Sequence, residues 1–352
     1  MAANQGAELR RRCQTTYEGL VKGEIRVVLM GKTGCGKSAT GNTILNSKVF
    51  QSKAGSLSTC QDCKKVTGVL LGKQVSVIDS PGVFDTSDED KKIKEEIGRS
   101  VSLSSPGPHV FLLVLTVGRY TKEDMATVEE IIKLFSESAA KHTIVLFTRL
   151  DDLEEEGKTL GDFLQRDKGF RELVKRFGNR YHGFNNRAPG DRRQVEKLMS
   201  KIEDMMDKNG RHFYTNEMYE AARQAILHRM EEILEERRDE IQKQERLLRS
   251  ESANPEEANR KIEELWVREV KRAKEQAEQD NAFIKTVARY SGVGGGVLGA
   301  LVGGGGTALL ISKAVGAILA GGVVGAVIVG GLAAKVGYDA ALKRVSKGRG
   351  KK

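Results

Sequence analysis

The chain has 352 residues, of which 39% are hydrophobic and 30% charged, and this length suffices for one large domain and further segments. Its net charge of +10 is compatible with an anionic membrane surface or with nucleic acid as a partner. Aromatic residues make up only 5% of the chain, which argues against the base stacking used by many nucleic-acid-binding proteins. Four cysteines are too few for a disulfide framework and indicate a reducing compartment.

An N-terminal extension of residues 1–23 lacks the apolar core of a secretory signal, and residues 24–210 then alternate apolar runs with helical patterns. Continuous apolar runs are typical of strands buried on both faces, and four of them predict strands: IRVVLM, VSVID, HVFLLVLTV and HTIVLFT. A helix is expected over residues 121–140, where Thr121 and Asp124 have the spacing of a capping box. The alternation predicts an α/β fold with a mainly parallel sheet between two helical layers.

The glycine-rich stretch GKTGCGKS (31–38) follows the first predicted strand and fits the pattern G-x-x-x-x-G-K-[ST]. Glycines let such a loop curl so that its amides face phosphate oxygens, and the dipole of the following helix adds to the attraction. We expect Lys37 to contact the β- and γ-phosphates and Ser38 to bind Mg²⁺. The residues predicted to contact nucleotide here are Gly31, Lys32, Thr33, Gly34, Cys35, Gly36, Lys37, Ser38 and Ala39.

Two further motifs at strand ends indicate which nucleotide binds. DSPG (79–82) predicts that Asp79 holds Mg²⁺, through water, and that the Gly82 amide senses the γ-phosphate. TRLD (148–151) is a variant of the guanine-reading N/T-K-x-D motif, with Arg149 where lysine is usual. Asp151 can accept two hydrogen bonds that guanine donates and adenine cannot. GTP or GDP with Mg²⁺ is therefore the predicted cofactor, and no nucleic-acid partner is expected.

Residues 211–290 are rich in helix-forming and charged residues. Their apolar positions recur at roughly heptad spacing, with lapses at Arg237 and Gln244, and SANPEE (252–257) separates a second charged helix. Two interpretations remain open for this helical extension. It is either a solvated arm folded on the first domain or a coiled coil that binds protein partners.

Residues 291–334 are glycine-rich and hydrophobic, with Lys313 as the single charged residue, and a basic tail of residues 335–352 follows. In water each glycine disfavours a helix by about 1 kcal/mol relative to alanine, whereas in lipid small residues allow close helix packing. The segment is about twice the length of one span. We expect it to associate, as a hairpin or a single span, with the cytoplasmic side of an intracellular membrane, leaving some protein cytosolic. A flexible tail or a self-association surface is the alternative.

Five segments follow one another in an order and style that resemble the GTPases of immunity-associated proteins (GIMAP family), which have septin- and Toc-like G domains. These segments are GKTGCGKSATGNTIL, DSPGVFDT, PGPHVFLLVLTVGRYTKED, LFTRLDDL and GNRYHGFNN. The resemblance covers residues 24–215 and implies a three-layer P-loop G domain that forms homodimers or oligomers, in a protein related to immunity.

The resemblance also implies roles for individual residues. Asn185 and Asn186 occupy the position of the family's final base-contacting motif, for which a strand-ending loop is the alternative. Arg119 matches an arginine finger supplied across a G-domain dimer, where its guanidinium would neutralise charge on the transferred phosphoryl group. A surface arginine is the alternative for Arg119.

The sequence departs from the family in the first switch segment, SLSTCQDC (56–63). Counting back from Asp79 places Cys60 at the position of the switch threonine, and a thiol is a poor ligand for Mg²⁺. Thr59 can serve only if the loop shifts by one residue. Because no glutamine follows DSPG to orient water, we expect slow GTP hydrolysis that dimerisation stimulates, with Lys37, Thr59 and Arg119 as the catalytic candidates. A non-hydrolysing, GTP-bound scaffold whose helical extension binds protein partners is the alternative.

Overall fold

The computed structural model describes residues 2–51, 63–80 and 90–291. A six-stranded sheet with the order β2-β3-β1-β4-β5-β6 lies at its centre. Neighbouring strands are parallel except for β2, which pairs antiparallel with β3. The strands are β1 (Glu24–Met30), β2 (Lys64–Leu70), β3 (Lys73–Asp79), β4 (Val110–Thr116), β5 (Thr143–Thr148) and β6 (Tyr181–Gly183). The predicted α/β fold with a mainly parallel sheet is thereby confirmed.

Helices cover both faces of this sheet. Alternate residues of β4 contribute to two separate hydrophobic clusters, Phe111 and Leu113 to one and Leu112 and Val114 to the other, because successive side chains of a strand point to opposite faces. The helices are α1 (Ala2–Lys22), α2 (Lys37–Leu45), α3 (Asp90–Leu103), α4 (Lys122–Phe135), α5 (Leu150–Glu155), α6 (Leu160–Arg166), α7 (Lys168–Arg176), α8 (Arg192–Lys208), α9 (Glu217–Glu236), α10 (Arg238–Glu251), α11 (Pro255–Gln279) and α12 (Ala282–Ser291), with a 3₁₀ turn at Glu137–His142.

The predicted helix beginning near Thr121 is present but shorter than expected. The Thr121 side chain accepts a hydrogen bond from the Asp124 amide, and the Asp124 carboxylate accepts one from the Thr121 amide, so the predicted capping box forms. Helix α4 ends at Phe135 because Ser136, with φ of 63°, directs the chain into the 3₁₀ turn.

The helical extension packs against the first domain. Helices α9 and α12 both contact α3, and α1, α9, α10 and α11 enclose a third hydrophobic cluster around Ile226, Met230 and Trp266. The lapse of the heptad pattern at Arg237 coincides with the break between α9 and α10. This arrangement corresponds to an arm folded on the first domain.

Buried charges join α11 to the sheet. Lys65 Nζ on β2 lies 3.0 Å from Glu24 Oε1 on β1 and 3.1 Å from Glu278 Oε1 on α11. Lys274 Nζ lies 2.7 Å from the same Glu278 oxygen. All four side chains are at most 10% exposed, so each charge depends on its partners for compensation.

The predicted membrane segment, apart from Ser291 at the end of α12, and the basic tail lie outside the described residues. Within the described ranges, no helix combines the length and the hydropathy that a bilayer crossing requires. The domain boundaries stay predictions.

Replacing Glu24 with glutamine tests the buried charges. Burial alone would raise the pKa of Glu24, but Lys65, Lys274 and Arg26 lower it to about 2. Removing this carboxylate leaves buried cations without compensation, and we expect the free energy of unfolding at pH 7 to fall by about 3 kcal/mol. Urea denaturation followed by circular dichroism measures the change.

The sign of the pH dependence follows from the direction of the shift. The folded-state pKa of Glu24 is below its usual 4.5. Its contribution to the free energy of unfolding is therefore fully present above pH 4.5 and is lost as the pH falls towards 2. The difference between wild type and Glu24→Gln should therefore narrow over this interval. Glu130→Gln, which removes an exposed pair with Lys133, is the control and should cost less than about 1 kcal/mol. An equal loss for Glu24→Gln at pH 7 and at pH 2 would contradict the network.

Candidate nucleotide-binding site

The predicted site residues converge at the carboxyl ends of the parallel strands. The 31–36 loop leads from β1 to α2, Asp79 ends β3, and Thr148 ends β5. Open α/β sheets bind ligands at this edge, because loops and helix N-termini meet there. Thr59 and Gly82 lie outside the described residues.

The backbone of the phosphate loop requires glycine at two positions. Gly31 has φ of 144°, and a Cβ atom there would lie 2.4 Å from the Val114 carbonyl oxygen of β4. Gly36 has φ of 96° and caps the N-terminus of α2 in the left-handed region. The loop therefore closes against β4 and delivers the chain into α2 with the helix N-terminus at the site.

The ammonium group of Lys37 is turned back over the loop. Its Nζ donates hydrogen bonds to the carbonyl oxygens of Gly31, at 2.8 Å, and Lys32, at 2.9 Å, and the residue is only 7% exposed. Neutral carbonyls orient this cation without neutralising it. A polyphosphate placed over the loop would supply the opposite charge.

The two predicted metal ligands lie together. Ser38 Oγ donates a 2.6 Å hydrogen bond to Asp79 Oδ2, which brings the start of α2 to the end of β3. A hydroxyl and a carboxylate oxygen are ligands suited to Mg²⁺, which takes most of its remaining positions from water and substrate phosphates. The residues present therefore fit Mg²⁺ bound together with a nucleotide.

The remaining loop residues have structural positions. Thr33 and Gly34 are exposed at the loop tip, and Ala39 lies in the first turn of α2, where its carbonyl accepts a hydrogen bond from Thr43.

Cys35 is buried, and burial raises the pKa of its thiol. The Cys35 carbonyl accepts a 2.7 Å hydrogen bond from Thr148 Oγ1. Thr148, for which the sequence pattern alone indicates no role, thus ties the TRLD motif to the phosphate loop.

Asp151 occupies a nearly enclosed position at the end of the site where the sequence predicts base binding. The residue is 8% exposed, and its Oδ2 atom lies 2.7 Å from Arg187 Nη1. This ion pair is misaligned for a hydrogen bond, so Oδ2 is buried without accepting one. Such an oxygen fits the N–H donors of guanine. Arg187 follows the Asn-Asn pair directly, but nothing local in the sequence identifies it as a partner of Asp151.

Arg149 and Asn185, which were also predicted to contact the nucleotide, shape the backbone at this end of the site. Arg149 is exposed, and its left-handed φ of 59° begins α5, on which Asp151 lies. Asn185 Oδ1 accepts hydrogen bonds from the amides of Arg187 and Ala188 and so shapes its own turn.

Asn186 connects the base loop to the phosphate helix α2. Its Oδ1 accepts a hydrogen bond from Thr43 Oγ1 at 2.8 Å, and its Nδ2 donates one to Thr40 Oγ1 at 3.2 Å. Both asparagine side chains thus contact protein groups that hold the site together.

Arg119 lies just before α4 in the chain, and Lys32 contacts the start of that helix. Arg119 is exposed in the segment between β4 and α4. Lys32 directs its side chain away from the loop, and its Nζ lies 2.9 Å from Asp124 Oδ1 at the start of α4. The side chain of Lys32 therefore contacts α4, while its carbonyl contacts Lys37.

Together with the strand order, this edge defines a P-loop domain of the guanine-nucleotide-binding class. Residues 25–233 match the model of the AIG1 family, and the chain belongs to that family. This confirms the resemblance to GIMAP proteins.

Curated relatives occur in animals and plants. The chain is 36% identical to human GTPase IMAP family member 8 over 205 residues, which are 57% of this chain and 30% of that protein. It is 34% identical to immune-associated nucleotide-binding protein 9 of Arabidopsis thaliana over 261 residues, 72% of this chain and 73% of that protein. Toc33 of Arabidopsis thaliana, solved in complex with GDP and Mg²⁺, aligns with a TM-score of 0.41 and 18% identity, covering 56% of this chain and 92% of that chain.

Replacing Asp151 with asparagine tests the base contact. The asparagine amide can donate to the 2-oxo group of xanthine but cannot accept both guanine donors. We expect the affinity for GDP to fall by about 100-fold or more and the variant to prefer xanthosine diphosphate. Isothermal titration calorimetry with both nucleotides measures the change.

The neighbouring acid provides the control. Asp152, whose side chain is 43% exposed, lies 4.0 Å from Arg187 and is not expected to read the base. Asp152→Asn should retain the preference for GDP. Undiminished GDP affinity in Asp151→Asn would show that guanine is read elsewhere.

Proposed function

We propose that this protein is a membrane-associated guanine-nucleotide switch that hydrolyses GTP slowly and faster when its G domains pair. One observation carries the proposal: Lys37, the Ser38–Asp79 pair and the buried Asp151 lie at one edge of a mainly parallel sheet. These groups match the phosphates, the cation and the base of a single ligand, GTP or GDP with Mg²⁺.

Each part of the site contributes a different interaction. The loop amides and Lys37 hold the phosphates, Ser38 and Asp79 hold Mg²⁺, and Asp151 orients the base. Bound Mg²⁺ supplies positive charge next to the phosphate oxygens. Lys37 also stabilises the negative charge that develops there during hydrolysis.

Pairing of two G domains would bring an arginine of one copy to the phosphates bound by the other. Arg119 is exposed, and its guanidinium is free to extend to the phosphates of a second copy. Thr59 is the proposed switch threonine. Loops that close on GTP and open after hydrolysis would then couple nucleotide state to assembly.

Membrane attachment is proposed for residues 291–334. The observation behind it is compositional, since 44 residues with a single charge precede a basic tail. The described part of α12 reaches Ser291, the first residue of this segment, so a membrane segment would continue directly from α12. The protein would then act on the cytoplasmic side of an intracellular membrane, in a process related to immunity.

The alternative function is a GTP-bound scaffold that does not turn over. Its supporting observation is apolar exposure on the extension, where Leu247 of α10 is 53% exposed and Val267 of α11 is 39% exposed. In that case nucleotide stabilises the G domain and the helices bind protein partners.

Phosphate release under multiple turnover, measured over a range of protein concentrations, separates these functions. For the switch, the rate per molecule should rise with concentration, and Arg119→Ala should abolish that rise, because an arginine finger contributes about 10³-fold or more. Arg166→Ala, which removes an exposed arginine from α6, should keep the rise. Tight GTP binding with no turnover at any concentration would favour the scaffold.

Flotation with vesicles tests the membrane proposal. The full chain should float with phosphatidylcholine vesicles that contain phosphatidylserine, and a chain ending at Ser291 should not. Attachment should persist at high salt, because apolar insertion is not screened whereas attraction by the basic tail alone is. Full-length protein that stays in the dense fractions would refute attachment.

A further inference from the structure

One ion pair links the phosphate loop to the helix that follows Arg119. Lys32 Nζ lies 2.9 Å from Asp124 Oδ1 and 3.5 Å from Glu123 Oε2. The Asp124 side chain is 8% exposed and that of Glu123 is 58% exposed, so the contact with Asp124 is the less screened of the two. The phosphate loop and the start of α4 are therefore held together by a partly buried charge pair.

Asp124 uses its two oxygens for different tasks. Oδ1 faces Lys32, whereas Oδ2 accepts hydrogen bonds from the Thr121 amide at 3.0 Å and from Thr121 Oγ1 at 2.6 Å. Burial opposes ionisation of Asp124, but these contacts with Thr121 and Lys32 lower its pKa. One carboxylate thus fixes both the start of α4 and its distance from the phosphate loop.

The segment that carries Arg119 is fixed at its other end as well. The Val117 amide donates a 3.2 Å hydrogen bond to the Thr148 carbonyl. The ring of Tyr120 packs 4.7 Å from that of Phe170. Arg119 is therefore an exposed side chain on a short segment whose two ends are held.

A second capping box in the same domain shows what capping alone requires. Thr159 and Asp162 at the start of α6 repeat the three hydrogen-bond distances of Thr121 and Asp124, namely 3.0, 2.6 and 3.1 Å. Asp162 is exposed and, among the described residues, forms no ion pair. Lys32 is therefore not needed to cap a helix of this kind.

We infer that Lys32 and Asp124 are positioning residues for Arg119, an inference that rests on the proposed dimer-stimulated hydrolysis. The pair fixes the Arg119 segment against the phosphate loop of its own subunit, so that a second copy meets the guanidinium in one geometry. Displacements near 1 Å at a reacting centre cost about 100-fold in rate. Ordering the segment before pairing also avoids an entropic cost at the moment of association.

Asp124→Asn in the full-length protein removes the charge but keeps an oxygen that can cap α4. At saturating GTP, and at protein concentrations giving equal dimer fractions by analytical ultracentrifugation, we expect the dimer-stimulated kcat to fall by about tenfold. Asp124→Glu should restore most of the rate, because glutamate also completes a capping box and retains the charge. Asp162→Asn, which alters the matched cap, should keep the wild-type rate.

A double variant separates positioning from a general structural effect. In the Arg119→Ala background, Asp124→Asn should cause no further loss, because both changes act through one guanidinium. An equal fractional loss in both backgrounds, or a loss explained by fewer dimers, would overturn the inference. So would an unchanged rate in Asp124→Asn.

The proposed function fails in a different way. If Arg119→Ala itself retains the stimulation, pairing does not use this arginine, and the positioning role falls with it.

If circular dichroism shows that Asp124→Asn is unfolded, Lys32→Gln removes the same ion pair from the other side. Its dimer-stimulated kcat should fall by a similar factor, and retention of the wild-type stimulation would again overturn the inference.

Discussion

The close approach of Gly31 to the main chain of β4 is the constraint on which the site depends. Any side chain at Gly31 would meet the Val114 carbonyl oxygen, so the loop closes only with glycine there. Closure places the Gly31 carbonyl where it accepts a hydrogen bond from Lys37, and it brings the Cys35 carbonyl to Thr148. The shape of the loop, the orientation of the Lys37 ammonium group and the position of the TRLD motif thus depend on one backbone contact. A loop held from β4 and β5 needs little reorganisation when a charged ligand arrives.

The central strands were predictable because burial on both faces produces continuous apolar runs, and β1, β3, β4 and β5 all have them. The two edge strands lack this signal for different reasons. In β2 most residues are exposed or only partly buried, with Val69 81% exposed, and β6 has only three residues. The helices of the extension were recognisable from composition, but their packing on α3 depends on tertiary contacts that no local pattern contains.

Functional residues that belong to a short contiguous motif could be identified from the sequence. Residues whose partners come from a distant part of the chain could not. The spacing of GKTGCGKS identifies Lys37 without a structure. Arg187 and Asp124 could not be found in this way, because their partners Asp151 and Lys32 belong to other elements of the chain, which approach them only in the folded sheet. The capping box at Asp124 was itself predictable, yet the spacing that reveals the cap cannot reveal which charge lies against its free oxygen.

The extension is attached to the sheet in a manner that specifies its position. Lys65 on β2 pairs with Glu278 on α11 and with Glu24 on β1, so α11 lies against the face of the sheet on which these side chains meet. The charges alternate from Glu24 through Lys65 and Glu278 to Lys274, and a shift of α11 by one turn would leave buried charges without partners. Apolar contacts would tolerate such a shift more readily, because they have no directional requirement. The charged network therefore sets the register of α11, while the hydrophobic cluster around Trp266 supplies the non-directional attraction that holds the extension in place.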